Sequence, residues 1–200
     1  MDVRHAGPAG LRERTRRAVR ADIADAAMRL FLEQGFEATT IDQISKEVGI
    51  SPRSLFRHFG TKEDIVLGNL TEAGQAVKTA LEARPADEAP WDALRAAFEV
   101  LAADPAYLSG QSLKISKMFY ETPSLRACQL EKRLRWLELL VPNIETRLGA
   151  DTGTGPGHRA RALVACALAC LDTATEAWVL SNGQVDLAQI FDEAVAAVRS

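Results

Sequence analysis

The stretch that decides the fold is "TTIDQISKEVGISPRSLFRHFGTKEDI", residues 39–65. Thr40 and Gln43 have the spacing of a capping box, which predicts the start of a helix about two turns long. Ser51 and Pro52 are typical of the cap and first turn of a second short helix. The stretch therefore predicts two short helices joined by a tight turn, and the second helix carries several basic side chains.

The turn between these helices contains Gly49, a residue type that commonly ends a helix because it turns freely. Helical spacing directs Ile44, Val48 and Leu55 inward, so the pair has the shape of a helix-turn-helix. In such a unit the second helix stands outward and can enter the major groove of DNA.

The outward side of the second helix carries residues suited to this task. Arg53, Ser54 and Arg57 lie early in the helix and off its buried stripe, and arginine can pair bidentately with guanine. His58 and Lys62 lie where phosphates would pass. These side chains predict DNA binding, and the alternative is an ordinary helical hairpin with a solvated basic face.

The net charge of −3 argues against a general polyanion binder. Basic residues are nevertheless concentrated at the N-terminus, where residues 1–20 contain six arginines and two acidic residues. This segment is either a solvated terminal tail or a basic arm that tracks phosphates. On the second interpretation, Arg17 is a candidate DNA contact.

The composition predicts an all-α chain of about nine helices, because no segment sustains the alternation of a strand. The longest apolar run, residues 162–171, is about half of the roughly 20 residues that a membrane span requires. We interpret Cys128, Cys166 and Cys170 as buried thiols in a reducing compartment. We therefore expect a cytoplasmic protein with no membrane segment, metal or cofactor.

Helices are predicted on both sides of a break at "PADEAP", residues 85–90. Before it, residues 14–33 and 61–84 form helices that flank the helix-turn-helix. Beyond it, the predicted helices span residues 91–103, 105–121, 123–148, 157–182 and 185–199. Pro142 is expected to kink or interrupt the third of these. The predicted domains are 1–65, with the helix-turn-helix and basic arm, and 66–200.

The helix-turn-helix lies within "AAMRLFLEQGFEATTIDQISKEVGISPRSLFRHFGTKEDI", residues 26–65. This long joint pattern, together with the residues before it, makes residues 13–65 similar to the DNA-binding domain of TetR-family transcriptional regulators. The resemblance implies phosphate or base contacts from Thr40, Arg53, Ser54, Phe56, His58 and Lys62. Phe56 departs from the family pattern, which usually has tyrosine there. We expect a hydroxyl contact to phosphate to be missing, and Arg57 to compensate in part.

A further resemblance extends from the helix-turn-helix into the C-terminal half. The segments "SPRSLFRHFGTKED", "ETPSLRA" and "ATEAW" are similar to the subgroup that includes the mycofactocin-linked regulator. This implies a C-terminal domain that binds a small hydrophobic or acyl-CoA-type effector. Ligand sites in helical bundles form between helices. The residues predicted to line such a pocket are Phe98, Met118, Phe119, Trp136, Leu140 and Thr175.

Asp172 and Glu176 are two acids four positions apart on one predicted helix, where they repel each other. Either they pair with arginines such as Arg133, Arg135 or Arg147, or they are exposed to solvent. The functional alternative is that they bind a cationic ligand in the pocket, which would fit poorly with the phosphates of an acyl-CoA.

The last two predicted helices are more apolar than the edge of a monomer should be, as in "ARALVACALACL", residues 160–171. We expect them to pack against a twofold mate, and the resemblance implies a four-helix bundle from two subunits. The residues predicted at this interface are Leu163, Leu171, Trp178, Leu187, Phe191 and Val195.

These features predict a homodimeric repressor that binds double-stranded operator DNA and leaves it when a small-molecule effector binds. Two alternatives stay open. One is a helical adaptor that uses the helix-turn-helix for a protein partner. The other is an all-helical enzyme, which we disfavour because His5, His58 and His158 are scattered along the chain and no nucleophile has a base in recognisable spacing.

Overall fold

The computed structural model describes residues 10–102, 110–149 and 157–199. Within these ranges the chain forms nine helices and no strand, which confirms the predicted all-α class. The helices are α1 Leu11–Gln34, α2 Ile41–Val48, α3 Pro52–His58, α4 Lys62–Glu82, α5 Pro90–Ala102, α6 Gln111–Glu121, α7 Pro123–Leu148, α8 His158–Leu180 and α9 Leu187–Arg199. Two compact units meet between Gly68 and Asn69, a few residues beyond the predicted domain boundary at 65/66.

The N-terminal unit is organised around an apolar core to which α1, α2 and α3 contribute. Ile23 and Phe31 of α1 are buried, and the Phe31 ring lies 4.9 Å from the Phe36 ring, centroid to centroid. Ile44 of α2 and Leu55 of α3 are fully buried against this core. The predicted inward faces of the helix-turn-helix are thus confirmed at these two positions.

The ends of α2 are held by local hydrogen bonds. The Gln43 amide donates to Thr40 Oγ1 over 3.2 Å, and the Thr40 amide donates back to Gln43 Oε1 over 2.7 Å. This reciprocal pair is the predicted capping box. At the other end Gly49 has φ 75°, a left-handed conformation that a side chain would strain, so the turn into α3 depends on glycine.

The starts of α3 and α4 are capped in the same way. Ser51 Oγ accepts a hydrogen bond of 3.1 Å from the Ser54 amide. Thr61 and Asp64 exchange two hydrogen bonds, of 2.9 and 3.0 Å, at the start of α4. The predicted Ser51 cap is therefore present, and a second reciprocal pair caps α4.

The C-terminal unit is organised around α8, which packs against α5, α6, α7 and α9. Its buried face includes Val164, Ala167, Leu168 and Ala174, all at most 1% exposed. In the described part of the chain α8 is the one helix long and apolar enough to span a membrane, a test that the central helix of a soluble protein also passes. The packing of α8 accounts for this composition, because its buried face requires apolar residues.

One helix of this unit differs from the prediction, and another contains Pro142 without being interrupted. The helix expected over residues 105–121 begins only at Gln111, because Gly110 before it is left-handed at φ 73°; residues 105–109 lie outside the described ranges. α7 runs without interruption through Pro142, and Thr146 Oγ1 donates to the Pro142 carbonyl over 3.0 Å. The missing amide of Pro142 removes the i→i−4 hydrogen bond to the Glu138 carbonyl, one turn earlier, yet the helix continues.

Candidate nucleic-acid interface

The outward surface of α3 is formed by the residues around its buried anchor. Leu55 is fully buried, whereas Arg53, Phe56 and Arg57 are exposed and Ser54 is half-buried. The Phe56 side chain is 52% exposed, although it is large and apolar. Two guanidinium groups and an aromatic ring therefore face solvent together on a helix that its own core holds in place.

Thr40 and Arg17 are also exposed in the N-terminal unit. Thr40 is the N-cap of α2, so its hydroxyl stands beside the free amides of that helix start. Arg17 lies within α1, which begins at Leu11. The predicted basic arm is thus corrected over residues 11–20, which are helical, and Arg4 lies outside the described residues.

His58 is in a different environment from the one predicted for a phosphate contact. Its side chain is half-buried, and among the described residues its Nδ1 has no hydrogen-bond partner. Burial lowers the pKa of His58 below its ordinary value, and the cationic Arg57, Arg20 and Arg16 lower it further. A lowered pKa favours the neutral imidazole near pH 7.

Arg20 is a residue that the sequence interpretation missed. Its guanidinium lies 4.0 Å from the centroid of the Phe59 ring and donates a hydrogen bond to the carbonyl of His58. Arg20 thereby ties α1 to the end of α3. The available signal was its position three residues before Ile23, at the edge of the buried stripe of α1.

Lys62 is half-buried, and its ammonium points into the protein. Nζ donates to the carbonyls of Phe36 and Thr39 over 2.8 and 2.9 Å, and lies 4.5 Å from the centroid of the Phe36 ring. The predicted phosphate contact is therefore already engaged with the connection between α1 and α2.

The residues predicted to line an effector pocket lie mainly in the packed interior of the C-terminal unit. Phe98, Trp136 and Leu140 belong to one continuous buried cluster. Met118 and Phe119 of α6 are also buried. Thr175 of α8 is half-buried, and its hydroxyl donates to the Leu171 carbonyl over 2.8 Å.

Trp136 has a specific contact with α4. Its indole N–H donates to the carbonyl of Leu70 over 2.9 Å. A Cβ added to Gly74 would lie 2.4 Å from the indole nitrogen, so only glycine permits this approach. The indole therefore lies directly against the backbone of α4.

Asp172 is paired with a lysine rather than with one of the predicted arginines. Lys132 Nζ lies 3.0 Å from Asp172 Oδ1, and the Lys132 side chain is 12% exposed. Tyr120 donates to the backbone carbonyl of Asp172 over 3.2 Å, and burial, followed by the charges of Asp172 and Glu176, raises the pKa of Tyr120 to about 12. Glu176 itself is exposed.

The arginines that were expected to pair with these acids have other partners. Arg133 donates to the Ala165 carbonyl over 3.3 Å, and Arg135 forms an ion pair of 2.6 Å with Glu131. Arg147 donates to backbone carbonyls at the end of α4 and just beyond it. Asp172 therefore pairs with Lys132 and not with any of these three arginines.

Three of the residues predicted at the dimer interface are covered within a single chain. Phe191 packs edge-on against Phe98 with ring centroids 5.7 Å apart, and Leu171 and Trp178 are each 8% exposed. These three side chains therefore contribute to the interior of a single chain, and their role at a dimer interface stays a prediction. The other three are half-buried, namely Leu163, Leu187 and Val195.

An open cleft of about 350 Å³ lies between the start of α5 and the end of α9. Trp91 and Val195 form part of its wall, and Arg95 crosses it in a two-point ion pair with Asp192, at 2.6 and 2.9 Å. None of the residues predicted for the effector pocket lines this cleft. Across the three described ranges, no group of three or more His, Cys, Asp or Glu side chains is placed to hold a metal ion.

Two family descriptions match the sequence. Residues 23–68 match the family described as "Bacterial regulatory proteins, tetR family". Residues 88–200, more than half of the chain, match the family described as "MftR C-terminal domain".

Curated relatives match over part of their lengths. TcmR of Streptomyces glaucescens, named an HTH-type transcriptional regulator, is 43% identical over 95 residues, which are 48% of this chain and 42% of TcmR. MftR of Mycobacterium tuberculosis, named for the regulation of mycofactocin biosynthesis, is 27% identical over 130 residues, which are 65% of this chain and 66% of MftR. The chain thus matches about two fifths of the first relative and two thirds of the second.

Solved structures share the fold. FadR of Thermus thermophilus, a TetR-family transcriptional repressor solved with lauroyl-CoA, has a TM-score of 0.59 at 22% identity, covering 88% of this chain and 91% of that one. FadR of Bacillus subtilis, solved with stearoyl-CoA, has a TM-score of 0.56 at 19% identity, covering 88% and 95%. With both family descriptions matched and this fold in common, the chain belongs to the TetR family of bacterial regulatory proteins and carries an MftR-type C-terminal domain.

Proposed function

We propose that the chain acts as a homodimeric repressor that binds operator DNA through α3 and is released by a small hydrophobic or acyl-CoA-type effector. The observation that carries the proposal is the outward face of α3, where Arg53, Phe56 and Arg57 are exposed around the buried anchor Leu55. A recognition helix needs this combination, because the anchor fixes the helix while the exposed side chains reach base edges. Operator binding places the protein in the cytoplasm.

Within this proposal the exposed residues have separate roles. Arg53, Ser54 and Arg57 read base edges, and Thr40 and Arg17 contact phosphates. Phe56 has no hydroxyl to offer a phosphate, but an exposed aromatic ring can contact the methyl group of thymine. The interface therefore combines charge, hydrogen bonding and one apolar contact.

Arg53→Ala tests the reading role. The duplex for this test is selected by the wild-type protein from a random-sequence library. We expect the variant to lose about tenfold in affinity for this duplex and to discriminate less between bases at one position, because a bidentate arginine contributes about 1–3 kcal/mol of discrimination. Fluorescence anisotropy measures the affinity, and repeating it with duplexes substituted at single positions measures the discrimination. Arg126→Ala, which removes an exposed arginine from α7, is the matched control.

An unchanged base preference in Arg53→Ala would remove that residue from the reading set. A wild-type protein with no salt-sensitive, sequence-selective binding would instead favour the helical adaptor. The exposed Phe56 ring gives that alternative a physical basis, because exposed aromatic residues are common in protein interfaces.

The homodimer is supported by the outer surface of the last two helices. Leu180 of α8 is 79% exposed and Val198 of α9 is 52% exposed. Exposed apolar residues on neighbouring helices are typical of an association surface, and a second copy supplies the second half-site contact that operator binding needs. Sedimentation velocity should show a dimer that Leu180→Glu weakens, whereas Leu130→Glu, at a 62% exposed position on α7, leaves it intact. A wild-type monomer would contradict the proposal.

The effector class is supported by the MftR-type C-terminal domain and by the fold shared with FadR proteins solved with acyl-CoA. Thermal-shift titration with lauroyl-CoA, lauric acid and a cationic dye tests it. A ligand that binds the folded state raises the melting temperature with increasing concentration. We expect lauroyl-CoA to do so and to weaken DNA binding. A response to the cationic dye alone would contradict the acyl-CoA class, and turnover of a candidate metabolite would favour an enzyme.

A further inference from the structure

Lys62 is the first residue of α4, where a cation is electrostatically disfavoured because the helix dipole is positive at that end. Its ammonium is directed away from solvent to two backbone carbonyls, Phe36 at 2.8 Å and Thr39 at 2.9 Å. The Phe36 ring adds a cation–π contact at 4.5 Å. Three favourable contacts thus hold the lysine in a position that the helix dipole opposes.

The segment held by Lys62 is the turn between α1 and α2. Thr39 in this turn is 1% exposed, and its hydroxyl donates to the Gly35 carbonyl over 2.8 Å. The Gln34 side chain donates to the Thr39 hydroxyl over 3.1 Å. The carbonyls that Lys62 binds therefore belong to an ordered turn. Hydrogen bonds from a charged donor such as this ammonium are stronger than those between neutral groups.

The residue that follows this turn is Thr40, the N-cap of α2 and a proposed phosphate contact. Its amide and hydroxyl are both engaged with Gln43, so the direction of α2 follows from where Thr40 is placed. An ammonium has three donors, and Lys62 directs two of them at Phe36 and Thr39. At most one N–H remains for a phosphate.

We propose that Lys62 is a positioning residue for DNA binding, which acts by fixing the α1–α2 turn and thereby Thr40, rather than a phosphate-neutralising cation. This inference rests on the proposed DNA-binding function. It differs from the role that the family resemblance implied, and the two roles have different salt dependences. A lysine that neutralises a phosphate contributes about 0.9 to the slope of log affinity against log salt concentration, whereas a positioning residue lowers affinity with little change in slope.

Lys62→Met removes the ammonium and keeps most of the side-chain stem. It is compared with Thr40→Val, with the double variant, and with Lys46→Met as a control for an exposed lysine on α2. The probe is the duplex selected by the wild-type protein, and anisotropy is measured over a salt series. We expect Lys62→Met to lose about tenfold in affinity with an unchanged slope. We also expect the double variant to bind no more weakly than Lys62→Met, because both changes remove the same Thr40 contact.

A slope that falls by about 0.9 in Lys62→Met, with additive losses in the double variant, would assign Lys62 to a phosphate and overturn the proposal. Unchanged affinity would also overturn it, since the contacts would then be structural only. Lys62→Gln, whose neutral amide can donate to a backbone carbonyl, should regain part of the affinity at the same slope. If Lys62 instead neutralised a phosphate, a neutral side chain would not have to restore affinity.

Hydrogen exchange of the DNA-free protein gives a second measurement. The Thr40 amide donates to Gln43 Oε1, and we expect Lys62→Met to reduce its protection while the amides of α7 stay protected. Unchanged protection of Thr40 would overturn the positioning role even if DNA affinity fell. A wild-type protein that selects no duplex would instead contradict the proposed function, and the exchange result would still report on the turn.

Discussion

The N-terminal and C-terminal units are both helical, but contacts of different kinds hold their helices. In the N-terminal unit, α2 and α3 have eight and seven residues, and each starts at a side-chain cap that spans three positions. In the C-terminal unit, α7 and α8 have 26 and 23 residues, and tertiary contacts such as Trp136 with Leu70 hold them. The comparison shows that helices held by local caps keep one face exposed for a partner. Long-range packing instead buries side chains that the sequence had suggested for a ligand site.

Among the substitutions that test this comparison, Trp136→Ala should have the largest effect on stability. We expect the free energy of unfolding of the C-terminal unit to fall by about 3–5 kcal/mol, because a buried indole is replaced by a cavity. Urea denaturation at one fixed protein concentration measures this change. Trp91→Ala, at a half-buried tryptophan, is the control and should cost less. Equal losses in the two variants would show that the contact of Trp136 with α4 adds nothing to the free energy of unfolding beyond that of a half-buried tryptophan.

Arg147→Met tests whether the Arg147 guanidinium of α7 stabilises the C-terminal end of α4. The guanidinium donates to the Leu81 carbonyl over 3.0 Å and to the Arg84 carbonyl over 3.2 Å. Losing charge-assisted bonds to helix-end carbonyls should lower the free energy of unfolding by about 2 kcal/mol. Arg135→Met removes an exposed ion pair with Glu131 and should change it by less than about 0.5 kcal/mol. A similar loss in both variants would contradict the capping role.

Ser45→Ala tests whether a buried hydroxyl without a partner destabilises the N-terminal unit. Ser45 is 1% exposed, and within the part of the chain that the structure describes its hydroxyl has no hydrogen-bond partner. Alanine removes a buried unpaired group and favours the helix, so we expect a gain of about 1 kcal/mol in the free energy of unfolding. Ser116→Ala, at a half-buried position on α6, should gain only about 0.5 kcal/mol from helix propensity. A loss in Ser45→Ala would indicate a hydrogen bond at that hydroxyl.

The smallest expected effect is the pH dependence that His58 gives to the stability of the N-terminal unit. Burial lowers the pKa of His58 in the folded chain, with Arg57, Arg20 and Arg16 as further causes. The unfolded chain therefore binds the proton more tightly, and stability is lost as the pH falls below about 6.5 towards the folded pKa. Denaturation at several pH values should show a shallower acid loss for His58→Gln than for the wild type. A steeper loss of stability at acid pH in the variant would mean that folding raises the pKa of His58 and does not lower it.

The N-terminal unit was largely predictable because its signals are local. Thr40 with Gln43 and Thr61 with Asp64 interact across three residues, so their spacing is already present in the chain. The exposed face of α3 followed from the inward position of Leu55. Arg20 was missed because its partners, His58 and Phe59, lie almost forty positions away.

The C-terminal unit was less predictable because helix rotation decides its side-chain partners. Asp172 pairs with Lys132 and not with Arg133, and a shift of one residue turns a helical side chain by about 100°. Periodicity likewise did not show that Phe191 faces inward to Phe98. A helix that is apolar on most sides carries no sequence signal for which face meets the core.

The sequence by itself determined the helical class, the caps of the short helices and the basic outward face of α3, because each depends on residues within a few positions of one another. Only the tertiary structure decided that Lys62 holds the α1–α2 turn, that Trp136 lies on Gly74 and that Asp172 pairs with Lys132. These contacts join residues 23 or more positions apart. They exist only after packing has set the rotation of each helix against its neighbours.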